Sequence, residues 1–226
     1  MSRSAQLRAK LDLAMPTVLA QTRLLWKGPD PAAAYRRWLV VLHQMVRATV
    51  PLMVTALDEC RSRSGDQTAP ILAGYFARHI RDEFGHDAWL AADLERAGGD
   101  VAALSEPPAP AVASLVGAQY YWIRHAHPVA LLGHIAVLEG YPPHPELAAH
   151  LADRTGLPHS AFHTIGQHSS LDIRHRDELL RTIDAIPMTA WHEQLLGISA
   201  FHTVGGVADV VSSISSRVPD LSRLTA

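Results

Sequence analysis

The sequence predicts an all-α bundle of about seven helices, and three observations carry that reading. Apolar residues recur at helical spacing along most of the chain, as at Leu7, Leu11, Met15, Val18 and Leu19. No segment shows the strict apolar–polar alternation of a half-buried strand. The breaks between helical stretches are short and rich in proline and glycine, as joints within one bundle are. At 226 residues the chain is read as a single domain, 1–226.

The first helix is expected over residues 4–26, ended by "KGPDP" at 27–31. Pro31 suits the first turn of the second helix, where its missing N–H costs nothing. That helix runs to about residue 63, with Pro51 as a kink because proline clashes with the carbonyl four residues earlier. "SRSGDQTAP" then links to a third helix over 68–97, stopped by Gly98-Gly99. "SEPPAPA" at 105–111 leads into a fourth helix over 110–126, which His127-Pro128 kinks and 129–139 continues. "EGYPPHP" closes it, and a short fifth helix follows over 145–155. Gly156 and Pro158 punctuate before a sixth helix over 159–185. Pro187 separates it from the seventh, over 188–215.

Composition narrows the function classes. Twenty basic against 22 acidic residues leave a net charge of −2, without the basic patch that nucleic-acid binding needs. No uninterrupted run of 18 apolar residues marks a membrane span, and Asp12 and Pro16 interrupt any signal-like N-terminal stretch. The expectation is therefore no nucleic acid and no membrane. The single Cys60 excludes an intrachain disulfide and a cysteine zinc framework, which fits a cytoplasmic protein. Fourteen histidines are unusual, but only their spacing gives them meaning.

Residues three or four apart share a helix face. His79, Glu83 and His86, with Asp93 beyond them, fall on one stripe of the third helix. His168, Asp172 and His175 form a similar stripe on the sixth, with Glu178 one turn further. Glu139 stands alone in the apolar segment "PVALLGHIAVLEG", where a buried carboxylate is costly unless a cation compensates it; a solvated helix end beside Gly140 is the other reading. Two carboxylate-x-x-His motifs on separate helices, with a further carboxylate on a third, are the parts of bundle-core di-iron sites. One such motif alone arises often by chance. Carboxylates supply charge and can bridge ions, while imidazoles add nitrogen ligands that suit iron or manganese.

These residues resemble the haem-oxygenase-like di-iron oxidases and oxygenases, the iron-containing redox enzymes that share the helical fold of haem oxygenase. The resemblance spans about residues 20–205 and rests on Glu83-x-x-His86, Glu139 and His168-x-x-x-Asp172-x-x-His175. The intervals agree as well: 56 residues from Glu83 to Glu139 and 36 from there to His175. So do the segments "AQYYWIRHAHPVALLGHIAVLEGYPP" and "HSSLDIRH". It implies a haem-oxygenase-like bundle with Glu83, His86, Glu139, His168, Asp172 and His175 as metal ligands. Two iron ions are implied, the second position being the weaker.

The weakness lies in the preceding helix, "LHQMVRATVPLMVTALDEC". Members of the family carry a further carboxylate there, and Val50 to Val54 contain none. Asp58 and His43 are the candidate replacements; the other reading is a second position that has lost a ligand. The resemblance further implies reductive activation of O2 by an external electron donor. The substrate is then a small molecule such as an amine, amino acid or fatty acid, in a biosynthetic pathway. His79, Tyr120, Tyr121 and Arg124 are assigned to the substrate pocket, with Arg124 as a carboxylate clamp, although tyrosine clusters on helices more often serve the core. A homodimer is compatible with the sequence. The alternative is a haem-oxygenase-fold protein with a degenerate metal site, acting as a non-redox enzyme or ligand-binding protein.

Overall fold

A computed structural model describes residues 1–216. Within them the chain forms ten α-helices and no strand. They are α1 Arg3–Leu25, α2 Pro31–Val46, α3 Thr49–Ser62, α4 Ala69–Glu83, α5 His86–Arg96, α6 Pro110–His125, α7 Ala130–Leu138, α8 Leu147–Thr155, α9 His163–Ala185 and α10 Ala190–Ser216. The difference from seven comes from three predicted helices that each divide in two.

Each division has a local cause. Pro51 sits in the first turn of α3, so the chain breaks four residues upstream at Arg47-Ala48, where the proline ring would otherwise meet a helical carbonyl. Gly85 adopts φ +91°, a left-handed conformation that ends the helical run between Glu83 and His86. The stretch 68–97 is thus two helices, not one. The third break, at 126–129, falls on the predicted His-Pro joint. It is held by His127, whose Nδ1 accepts from the Val129 amide at 3.1 Å, leaving Nε2 to donate to Asp66 at 2.7 Å.

Starts and stops follow capping chemistry. Ser2 caps α1 and Asp30 caps α2, its carboxylate accepting from the Ala33 amide at 2.8 Å with Pro31 in the first turn. Gly156, at φ +69°, terminates α8. Pro16 lies inside α1 without ending it.

The bundle has two adjoining apolar clusters. One gathers Leu52, Met53, Leu72, Tyr75, Phe76, Leu131, Ile135 and Leu196 from α3, α4, α7 and α10. The other gathers Tyr35, Leu39, Met45, Leu90, Leu151, Phe162 and Ile165 from α2, α5, α8 and α9 and the turn before it. α7 and α10 cross closely: a Cβ at Gly133 would collide with the Leu196 carbonyl, so only glycine fits. The α2–α3 stretch and α10 each average a hydropathy of 1.4 over a window long enough to cross a membrane, a property that bundle helices share. Both pack into the bundle, α3 against α4 and α10 against α7.

Candidate metal centre

The junction of the two clusters holds the polar constellation. His79 and Glu83 come from the last turns of α4, His86 from the first residue of α5, and Glu139 from the C-cap of α7. His168, Asp172 and His175 lie along one face of the unbroken α9. All but the half-buried His168 are buried, with His79 and His175 fully inaccessible. Because of the Gly85 turn, Glu83 and His86 meet across a break and not along one helix. Their side chains still touch, Glu83 Oε2 lying 3.1 Å from His86 Nδ1.

The donors fall into two overlapping groups. His79, Glu83, Glu139 and His175 bring ligand atoms within 4.8 Å of one another, and so do Glu83, His86 and His168. Glu83 belongs to both. His175 Nδ1 is 3.3 Å from Glu139 Oε2 and 3.4 Å from Glu83 Oε1. Neither approach has hydrogen-bond geometry, and His175 Nδ1, Glu139 Oε2, His79 Nδ1 and Asp172 Oδ1 are each buried without a partner. Buried polar atoms are nearly always satisfied, and the orphans on His175 and Glu139, two members of one donor group, mark a place for a cation.

The electrostatics agree. Burial pushes the Asp172 carboxyl up to about 8, with the charges of Glu139 and Glu83 adding to the effect. Burial alone would lower His79 and raise Glu139, but their 2.9 Å contact outweighs it, raising His79 and lowering Glu139. The donor groups hold two acids, Glu83 and Glu139, with Asp172 outside both groups on the adjoining cavity wall; such a set favours a di- or trivalent ion, and the mixed N/O composition fits iron. His168 Nδ1 donates to the Thr164 carbonyl at 2.8 Å, which leaves Nε2 free as a ligand nitrogen.

A cavity of about 260 Å³ opens against this cluster. Glu83, His86, Glu139, His168 and Asp172 form one wall, and the rest is largely apolar, with Trp38, Leu42, Met45, Leu52, Met53, Leu131, Ile135, Leu138 and Leu151 among its lining. Half-buried Thr22, Trp38, Tyr141 and Pro143 mark its rim.

Several assignments move. Tyr120, Tyr121 and Arg124 do not line the cavity. α6 turns Gln119 and Ile123 inward, and helical rotation carries the neighbouring residues away, so that Tyr121 is 64% exposed and Arg124 is exposed. His79 does not line it either; it stands behind the acids, inside the donor cluster. Asp58 is exposed and paired with Arg61 at 3.4 Å, out of reach of the site. His43 is half-buried and belongs to neither donor group. Val54, where a carboxylate was sought, is itself exposed; Thr49, Leu52 and Met53 are the α3 residues that face the cavity. Asp82, not predicted for the site, approaches His175 Nε2 at 3.7 Å while pairing with Arg174 at 3.4 Å. Its i+4 spacing from His86 carried no signal for this, because the partner is on α9.

A protein-family profile for "iron-containing redox enzyme" matches residues 36–196, well over half of the chain and every donor described above. The chain belongs to the iron-containing redox enzyme family. Its fold is that of haem oxygenase. A domain of unknown function with a heme oxygenase-like fold from Shewanella denitrificans OS217 superposes with TM-score 0.79 at 16% identity, covering 98% of this chain and 95% of that one. A TenA homolog from Pseudomonas syringae pv. tomato strain DC3000 superposes with TM-score 0.74 at 14% identity, covering 93% and 91%. At such identities the likeness of this iron-containing redox family member to both concerns the fold alone. A search of curated proteins finds no match to it.

Proposed function

We infer that the protein is a non-haem, di-iron, O2-dependent oxidase or oxygenase acting on a small molecule. The observation that carries this reading is the pair of donor groups sharing Glu83, with unpartnered lone pairs, on the wall of an apolar cavity. His79, Glu83, Glu139 and His175 would hold one ion, and Glu83, His86 and His168 the other. Asp172 faces the cavity beside them. Bound iron would supply the O2 chemistry and draw its electrons from an external donor. The chain's own part is structural and electrostatic. α4, α5, α7 and α9 fix the donors, the leucine-rich wall excludes water, and the cavity holds an oxidisable bond beside the metals. A nucleophilic thiol plays no part: burial, with the nearby charge of Asp66, pushes Cys60 up to about 12. The single buried cysteine is in keeping with a cytoplasmic setting.

The test is iron per chain after anaerobic Fe(II) loading, followed by absorbance on admitting O2. About two ions and an O2-dependent spectral change are expected. His175→Ala should lose iron while keeping its helical circular dichroism. A variant that retains all its iron would overturn the ligand assignment.

A further inference from the structure

One cavity-wall side chain outside both donor groups is built to meet a ligand. His134, on α7, is 5% exposed and lines the cavity. Its Nδ1 lies 3.0 Å from Thr203 Oγ1 on α10. Thr203 spends its one hydroxyl proton on the Ser199 carbonyl, 2.8 Å away, so its oxygen can only accept from the imidazole. It also accepts from Gln119 Nε2 at 3.5 Å, and Gln119 Oε1 in turn accepts from Ser199 Oγ at 3.1 Å. Gln119, Ser199 and Thr203 are all fully buried. The network is closed, and it leaves one answer for the histidine: Nδ1 carries the proton, and Nε2 keeps a lone pair with no protein partner.

The rest of the wall says what that lone pair is for. Among the described residues no lysine or arginine lines the cavity, and its acids are Glu83, Glu139 and Asp172. Burial holds the His134 imidazole down at about 4, despite the opposing charge of Glu139, so at neutral pH Nε2 keeps its lone pair as an acceptor.

We propose that the cavity takes a largely apolar molecule with one hydrogen-bond donor, such as an alcohol or a neutral N–H, which docks on His134 Nε2. The body of the molecule lies on Leu42, Leu52, Leu131 and Ile135, and the bond to be oxidised is thereby set towards Glu83, Glu139 and Asp172. This deepens the proposed function and rests on the cavity being the substrate chamber.

The experiment uses metal-free protein and three matched probes: hexanol, hexane and hexanoate. Binding is followed through tryptophan fluorescence, since Trp26 and Trp38 line the cavity. Hexanol should bind about tenfold more tightly than hexane, the worth of one good hydrogen bond, and more tightly than hexanoate. In His134→Phe the hexanol advantage should vanish while hexane binding persists. Thr203→Val, which frees the imidazole to exchange tautomers, should reduce the advantage without touching the wall. It decides the matter if the phenylalanine variant does not fold. Hexanoate binding as tightly as hexanol, an advantage unchanged in both variants, or no binding by any probe would overturn the proposal. None of these readings involves iron, so they stand apart from the iron and O2 measurements that test the enzyme assignment.

Discussion

Glu83 is the residue on which the two donor groups depend, and its position makes a distinctive prediction. It contacts His86 at 3.1 Å on one side and His175 at 3.4 Å on the other, and it is 8% exposed. If it bridges two ions, Glu83→Gln removes the charge that both require, whereas His86→Ala touches one. Iron content should fall from about two per chain to near zero in the first variant and to about one in the second, measured by metal quantification. The metal-free proteins should behave in the opposite sense. Buried like charges repel, so metal-free Glu83→Gln should be no less stable than metal-free wild type in urea. A merely structural glutamate would show loss of stability with iron content intact. The residue scale is also where sequence reading met its limits. Val54 and Met53 are adjacent in sequence, yet one is exposed and the other fully buried against the site. Which of them faces inward depends on the register of α3 after its break, and composition does not carry that register. Tyr120, Tyr121 and Arg124 lie off the cavity for the same reason, because the packing of α6 on α10 chooses the inward face.

At the scale of elements, the helical period and the proline and glycine joints placed the outer ends of each helical stretch within a few residues. The stripe on α9 was likewise visible, because an uninterrupted helix obeys simple i, i+4, i+7 spacing. Gly85 was different. A lone glycine inside a helical pattern is read as tolerated, and nothing in "DEFGHD" announces a left-handed turn. That turn re-aims His86 relative to His79 and Glu83, so the centre needs a break in the element that sequence spacing treated as continuous. Gly85→Ala tests this cleanly. No atom lies within 4 Å of the Cβ it would add, so any effect is backbone strain at φ +91° and not a clash. The cost should be about 1–2 kcal/mol, a fall in Tm of roughly 2–8 °C, with weaker retention of the iron that His86 helps to hold. Gly85→Asn, which tolerates the left-handed region better, should lose less. Equal stability of Gly85→Ala and wild type would mean that the segment can straighten.

For the whole molecule, the centre sits where two apolar clusters join, and among the described residues no lysine or arginine lines the cavity beside its acids. Without a cation this junction works against the fold. Three carboxylates are drawn from α4, α7 and α9, and four polar atoms are left without partners among the described residues. With a cation the same groups become cross-links between helices that are distant in sequence. Metal binding should therefore act as a global clamp whose strength follows mass action. At free Fe(II) a hundredfold above Kd, the native state gains about 2.7 kcal/mol. For a chain of this length that corresponds to a rise in Tm of roughly 5–11 °C. Calorimetry of anaerobic protein with and without Fe(II) measures it, and chelator should reverse it. In His175→Ala the rise should shrink sharply, because an α9 ligand to the ion is gone. A rise of equal size in that variant would place the stabilising ion elsewhere, and no rise in wild type would mean that the junction is held by packing alone.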